Sequence, residues 1–397
     1  VDFSQAYSGP PVISKHIAAI LPQNDSAFRA QVNYLIQDLE ASGEFKNIYK
    51  TWLGVGSIQY QIELMTGSPE TVIVSEAAQE AHTTLVAEAN VFVESALGRI
   101  RKRNNQLIAG VRFNTKPFGF LDENGQVSGF DIDLINAIAE EWGVTVSFVQ
   151  VNESTANELI NAGQVDLATA GAPIGKEKLA EVDYSQSYFI DGDSLLIKRY
   201  AGITGIQDMD GKTVGVAQGS GFDAQVLAYA ETQKVSISVV PFNDFNAMVE
   251  AVKAGQVDAI TAETSLLRQA VLDNPDLAVA GRAFTQDWFG MVLPPGDSNF
   301  KNLVDSSLQK LKQSGKYDEL YKKWFGRTTT PYAVEVYPGQ WPYTFADSPS
   351  VIDSPGRSKV EQMLLKKKLV VGIQYDAAPF GFLDSEGQLA GFDIDLA

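Results

Sequence analysis

Apolar residues along this chain fall into two alternating rhythms. Short runs of strand length (LIAGV at 107–111, VTVSFVQV at 144–151, DLATAG at 166–171, KTVGVA at 212–217, DAITAE at 258–263) are separated by longer stretches in which apolar positions recur every three or four residues. After the first run Pro117 breaks the strand, and ENG at 123–125 marks a turn. Leu134, Ile138 and Trp142 then repeat at i, i+4, i+8, and Gly143 closes that helix. The order β-α-β-α-β predicts a parallel sheet with right-handed crossovers, and a second such unit follows over 212–263. The chain returns through WFGMVLP (288–294) to two closing helices. Phe300, Leu303, Val304 and Leu311 line the first, Gly315 ends it, and Tyr317, Leu320, Tyr321 and Trp324 line the second. Two similar α/β lobes, with the chain crossing between them, imply a cleft at the carboxyl ends of their strands.

The pattern repeats beyond this unit. LIAGVRFNTKPFGFLDENGQVSGFDIDL (107–134) matches LVVGIQYDAAPFGFLDSEGQLAGFDIDL (369–396) without a gap. LPQNDSAFRAQVNYLIQDLEASGEFKNIYKTWLG (21–54) matches LPPGDSNFKNLVDSSLQKLKQSGKYDELYKKWFG (293–326) in the same way. The first motif opens a module and the second closes one. The expected organisation is the C-terminal part of a module (1–54), a linker with a long helix (55–106), a complete module (107–326), a second linker (327–368) and the N-terminal part of a further module (369–397). Within the complete module, lobe one is expected at about 107–196 and 287–326, and lobe two at about 197–286. The order predicts an excerpt from a longer tandem array. In the first linker, Leu85, Val93, Leu97 and Ile100 form the expected apolar helix face. The second linker, with PGQWPYTFADSP at 338–349, is expected to be an ordered strap because it has aromatics to bury.

Charge and composition narrow the chemistry. A formal net charge of −18 argues against nucleic-acid binding, which needs clustered cations to neutralise phosphates. The basic cluster Arg99, Arg101, Lys102 and Arg103 sits at an expected helix end, where cations favour the dipole. With no cysteine and only two histidines (His16 and His82, in no metal spacing), neither a metal site nor a cofactor is expected. DGKT at 210–213 fails as a phosphate loop because Ile206 stands where the first glycine belongs. No catalytic residue is expected. Asp166 and Asp258, in the two GQVD motifs, read as turn and strand-start residues.

PFGFLDENGQVSGFDIDLINAIAEEWG, GQVDLATAG, VDYSQSYFIDGDSLLI, DGKTVGVAQGSGF, GQVDAITAE and GKYDELYKKWFG, in this order, resemble the family 3 extracellular solute-binding proteins of amino-acid ABC importers. The resemblance implies a two-lobed periplasmic-binding-protein (type II, Venus-flytrap) α/β fold. Its hinge strands are expected near 194–198 and 289–294, with lobes that close on a ligand. It places Arg112, Asn114, Phe118, Glu153, Gly171 and Lys178 of lobe one, and Gly219, Ser220, Gly221 and Glu263 of lobe two, at ligand-binding positions. Gly219, Ser220 and Gly221 would offer backbone N–H groups and a hydroxyl to an anion, and Glu263 would hold the ligand's ammonium group. Three departures matter. Pro173 and Gly175 stand at hydroxyl positions, and Lys178 replaces an arginine whose bidentate fork a lysine does not make. Arg112 stands where many members carry an acidic ligand residue.

The implied function is capture of a small polar solute, an amino acid, in the periplasm or outside the cell, free or on a membrane tether, with delivery to the membrane subunits of an ABC importer. Neighbouring modules of the same chain are the other implied partners. Two alternatives belong to different classes. One is the sensing region of a transmembrane receptor kinase; the other is a periplasmic cyclohexadienyl-type dehydratase, with Glu153 or Glu263 as its general acid.

Overall fold

The computed structural model describes residues 19–53, 91–171, 173–174, 181–218, 222–326, 343–354 and 359–397. Lobe one is built on a five-stranded sheet of order β6-β2-β7-β16-β8, with β2 (Gln106–Val111), β6 (Thr145–Gln150), β7 (Leu167–Thr169), β8 (Asp183–Tyr184) and β16 (Val292–Leu293). β2 lies parallel to both β6 and β7, as the crossover pattern predicts. β16 returns antiparallel to β7 and β8, which the run-by-run reading did not show. A small sheet of β3 (Asn114–Thr115), β4 (Gly119–Leu121) and β5 (Val127–Ser128) leads from β2 into α4 (Phe130–Trp142). Gly129 enters that helix at φ 142°, and a Cβ there would lie 2.0 Å from the Phe118 carbonyl oxygen, so only glycine fits.

Lobe two repeats the plan with order β12-β11-β13-β10-β14, from β10 (Asp193–Lys198), β11 (Lys212–Ala217), β12 (Ile237–Phe242), β13 (Ala259–Glu263) and β14 (Leu277–Ala280). Its helices are α6 (Phe222–Thr232), α7 (Phe245–Ala254) and α8 (Thr264–Asp273), and lobe one carries α5 (Glu153–Asn161). The GQVD aspartates do the structural work expected of them. Asp166 accepts from the Ile108 N–H at 2.9 Å and pairs with Arg103 and Arg99. Asp258 accepts from the Thr213 N–H at 2.9 Å and its hydroxyl at 2.8 Å. Each ties a strand start to the strand beside it.

The two lobes meet at a two-stranded ribbon, β9 (Phe189–Asp191) against β15 (Asp287–Phe289). The hinge thus lies a few residues upstream of the expected 194–198 and 289–294. β10 already belongs to lobe two and β16 to lobe one, because each completes its lobe's sheet. The closing helices α9 (Ser298–Gln313) and α10 (Lys316–Phe325) pack on lobe one, with Phe300, Leu303, Val304, Tyr317 and Tyr321 buried. Phe130 sits at the centre of an aromatic cluster with Tyr188, Phe189, Tyr317, Tyr321 and Phe325.

The expected long linker helix is instead a strand, β1 (Val91–Glu94), and a short helix, α3 (Ala96–Lys102), with Leu97 and Ile100 buried beneath it. Ser95 caps α3 and breaks the two apart, while Leu85 lies outside the described residues. In the second linker, Phe345 stacks on Trp142 (6.0 Å, 14°), as the strap reading expects. There follow β17 (Val351–Ser354), α11 (Lys359–Lys366), a three-stranded sheet of β18 (Asp376–Ala377), β19 (Gly381–Leu383) and β20 (Leu389–Ala390), and α12 (Phe392–Leu396). The first described helices, α1 (Ser26–Ser42) and α2 (Glu44–Leu53), pack against α11 and α12 respectively.

Candidate ligand-binding cleft

Between the lobes lies a cleft lined by Arg112, Phe118, Gly171, Tyr188, Asp191, Glu263, Ser265, Leu266 and Phe289. Arg112 follows β2 and Gly171 follows β7, while Glu263 ends β13, so the cleft sits at the carboxyl ends of parallel strands in both lobes. Asp191 and Phe289 come from the hinge ribbon. The cavity among these lining residues is about 10 Å³, close to the room that one water molecule needs.

Arg112 is the pivot of the lining. Its guanidinium lies over the Phe118 ring, 5.5 Å from the centroid. It also lies against Gly171, where a Cβ would come within 2.0 Å of its Cζ. Its Nε is buried and has no hydrogen-bond partner among the described residues. Its charge stabilises the ionised forms of Asp131 in lobe one and Glu263 in lobe two. Phe118 serves two ends, since the same ring packs edge-on to Phe189 at 4.9 Å in the lobe-one core.

Around this cation the structure gathers carboxylates. Asp131 is fully buried and accepts from the Tyr188 hydroxyl at 3.2 Å. Burial pushes its pKa up to about 6 against the pull of Arg112. The hinge adds two like-charge pairs directly across strands: Asp191 opposite Asp287 in the ribbon, and Asp193 opposite Glu263 between β10 and β13. Asp191 is held by the N–H groups of Gly192 (2.9 Å) and Ser265 (3.2 Å), yet burial lifts it to about 6. Burial, with Asp287 and Glu263 nearby, raises Asp193 to about 8 against the pull of the Thr285 hydroxyl. Glu263 and Asp287 are raised as well, chiefly by burial.

Of the positions expected from the sequence, Arg112, Phe118, Gly171 and Glu263 come together in the cleft. Asn114 stands exposed on β3, outside the lining. Glu153 opens α5, with its side chain outside what is described. Gly175, Lys178, Gly219, Ser220 and Gly221 also lie outside the described residues. The sequence reading missed Tyr188, Asp191, Ser265, Leu266 and Phe289, together with the buried Asp131 and Asp193. For Tyr188, Asp191 and Asp193 a signal was present in YFIDGDSLLI (188–197), where two carboxylates interrupt an apolar strand run. Of the two acidic residues in the first turn of α4, Asp131 is buried, while Asp133 pairs with Lys323 (2.6 Å) and accepts from the Trp324 indole N–H (2.7 Å).

Residues 107–327 match the family described as bacterial extracellular solute-binding proteins, family 3, over more than half of the chain. The chain belongs to this family. Among curated relatives, the ABC transporter glutamine-binding protein GlnH of Bacillus subtilis is 31% identical over 228 residues, 56% of this chain and 82% of its own length. The glutamine-binding protein of Geobacillus stearothermophilus is 28% identical over 252 residues, covering 62% of this chain and 93% of that protein. Among solved structures, an ancestral cationic amino acid solute-binding protein superposes with a TM-score of 0.52 at 30% identity, covering 58% of this chain and all of that one. The type II two-lobed α/β architecture of this solute-binding family is thus the architecture of residues 107–326.

Proposed function

We propose that the complete module captures a free amino acid by lobe closure and delivers it to an ABC importer from the periplasm or the cell exterior. The observation that carries this reading is the arrangement of opposite charges across the cleft. Arg112 from lobe one faces Glu263 of lobe two, with Asp191 of the hinge beside them. A zwitterion answers both signs: its carboxylate pairs with the guanidinium, and its ammonium pairs with the carboxylates. Phe118, Leu266 and Phe289 supply apolar surface for a side chain. This deepens the role of Arg112. With Lys178 in place of the expected arginine, Arg112 is the bidentate donor that the cleft lining retains. The relatives above are glutamine-binding proteins and a cationic amino acid solute-binding protein, which supports the amino-acid class. Delivery to an importer is the role that a family 3 binding protein suggests. Among the described residues no helix is long and apolar enough to cross a membrane.

The test is thermal unfolding of the full chain against a panel of neutral, cationic and acidic amino acids and small dicarboxylates. A ligand at about 100 times its dissociation constant adds about 2.7 kcal/mol, and for a unit of this size that is a rise of roughly 5–10 °C. A rise with one class names the solute. No rise with any member overturns the reading.

A further inference from the structure

Residues 19–53 and 359–397 assemble into a second body that copies part of lobe one contact for contact. Phe392 meets Phe45 at 5.8 Å and 87°, as Phe130 meets Tyr317 at 5.9 Å and 86°. Tyr49 meets Phe392 at 6.1 Å and 88°, as Tyr321 meets Phe130 at 6.2 Å and 87°. Trp52 lies edge-on to Phe382 at 5.8 Å, as Trp324 does to Phe120 at 5.9 Å. The Trp52 indole N–H donates to Asp395 at 2.6 Å, as Trp324 donates to Asp133 at 2.7 Å. Asp25 caps α1 and accepts from the Lys359 N–H at 2.6 Å; Asp297 caps α9 and accepts from the Ala96 N–H at 2.7 Å.

The two bodies meet through like elements. β1 precedes α3 and β17 precedes α11, and the two strands pair antiparallel, with Val91 opposite Ser354 and Glu94 opposite Val351. The Ser95 N–H extends the ladder to the Ser350 carbonyl at 3.0 Å. Nearby, the starts of α1 and α9 meet: Asn24 N–H donates to Ser298 Oγ at 2.9 Å, and Ser298 N–H donates to Asn24 Oδ1 at 3.1 Å. Arg101 reaches across to Ser350 Oγ and to the carbonyls of Phe345 and Ser348. Gly98 lets the Ser350 carbonyl approach, since a Cβ there would lie 2.8 Å from that oxygen. Antiparallel pairing of two strands, each preceding a helix, is an isologous contact about a local two-fold axis.

We propose that this back face of lobe one, β1 with Ser95, Gly98, Arg101 and the start of α9, is a docking surface for a second module of the same repeat carried in the same chain. Residues 345–354, including β17, occupy it here together with the start of α1, and lead into the body of 19–53 and 359–397. Modules then stand back to back in pairs rather than strung as independent beads. The face is separate from the cleft, whose lining shares none of these residues, so each module opens and closes while paired. A strand edge such as β1 needs a partner. A repeat that brings its own second copy supplies one at the millimolar effective concentration of a short tether.

The chain contains no cysteine, so paired cysteines report this contact without background. Glu94→Cys with Val351→Cys places thiols on directly opposed residues, whose Cα atoms in an antiparallel pair are about 4.5–5.5 Å apart, inside the disulfide range. Glu94→Cys with Ser354→Cys is three residues out of register, about 10 Å along the strand. In the full chain at micromolar concentration, mild oxidation closes an intrachain disulfide in the first variant at least about tenfold faster than in the second, with a rate independent of protein concentration. Equal rates in both variants, or interchain dimers as the main product, overturn the proposal. The readout involves no ligand, so it stands or falls separately from amino-acid binding.

Discussion

Gly171 shows how one missing side chain sets the cleft. Its φ of +71° is a left-handed conformation, and its bare Cα leaves the space that the Arg112 guanidinium fills. Gly171→Ala adds a methyl 2.0 Å from Cζ and places alanine where an L-residue costs about 1–2 kcal/mol. The expected outcome is a chain that still folds, melts about 2–6 °C lower, and binds its amino acid at least about tenfold more weakly because Arg112 is pushed off Phe118. Calorimetric titration beside a melting curve checks it: unchanged affinity would mean that Arg112 takes no part in binding. The sequence singled out both residues, but through the family pattern alone. Nothing in the order of residues says that an arginine after one strand rests on a glycine after another, because that contact depends on β2 and β7 being neighbours.

At the scale of elements, the hinge ribbon and the lobe-two sheet beside it stack carboxylates where strands ordinarily pair opposite charges. Asp191 faces Asp287, and Asp193 faces Glu263. These groups hold protons more tightly folded than unfolded, Asp193 to about 8 and Asp191 to about 6. The sign follows from linkage. Between the unfolded carboxyl value and these raised values the native state binds more protons, so stability is fully present at low pH and is lost as pH rises through about 6 and then about 8. Asp208 and Asp258 have lowered values, and their stabilising contribution is already complete above pH 5, so it stays constant through this window. The melting temperature is expected to fall by several degrees from pH 5 to pH 8, and Asp193→Asn to flatten the upper part of that slope. A melting temperature that rises across the window would show the carboxyls to be ionised and paired. The strands carrying these groups were legible as apolar runs. Their pairing partners were not, because β9 pairs with β15 about a hundred residues on and β10 with β13 about seventy residues on, and register is set by the sheet, not by the run.

The whole molecule holds two bodies with the same aromatic lock and different amounts of core. In the complete module β2 lies between β6 and β7, and Leu107, Ala109 and Val111 are buried there. Its counterpart at 369–373 has the same apolar sequence, yet forms no strand and leaves Leu369, Val370 and Val371 exposed, Val370 at 79%. The gapless match of 107–134 with 369–396 made the local likeness legible: both begin with the same turn, three-stranded sheet and helix start. It did not reveal this divergence, since a strand forms only beside neighbours, and among the described residues 369–373 lies beside none. A body with little sheet buries little apolar surface per residue and opens at lower free energy than its fuller counterpart. Calorimetry of the full chain is therefore expected to resolve two transitions, the body of 19–53 and 359–397 melting first. Each body carries its own indole-to-aspartate bond, so the transitions separate by mutation. Trp52→Ala lowers only the first, through loss of the contacts to Phe382 and Asp395. Trp324→Ala lowers only the second, through loss of those to Phe120 and Asp133. A single transition lowered equally by either substitution would show instead that the paired bodies unfold as one unit, with the β1–β17 contact strong enough to couple them.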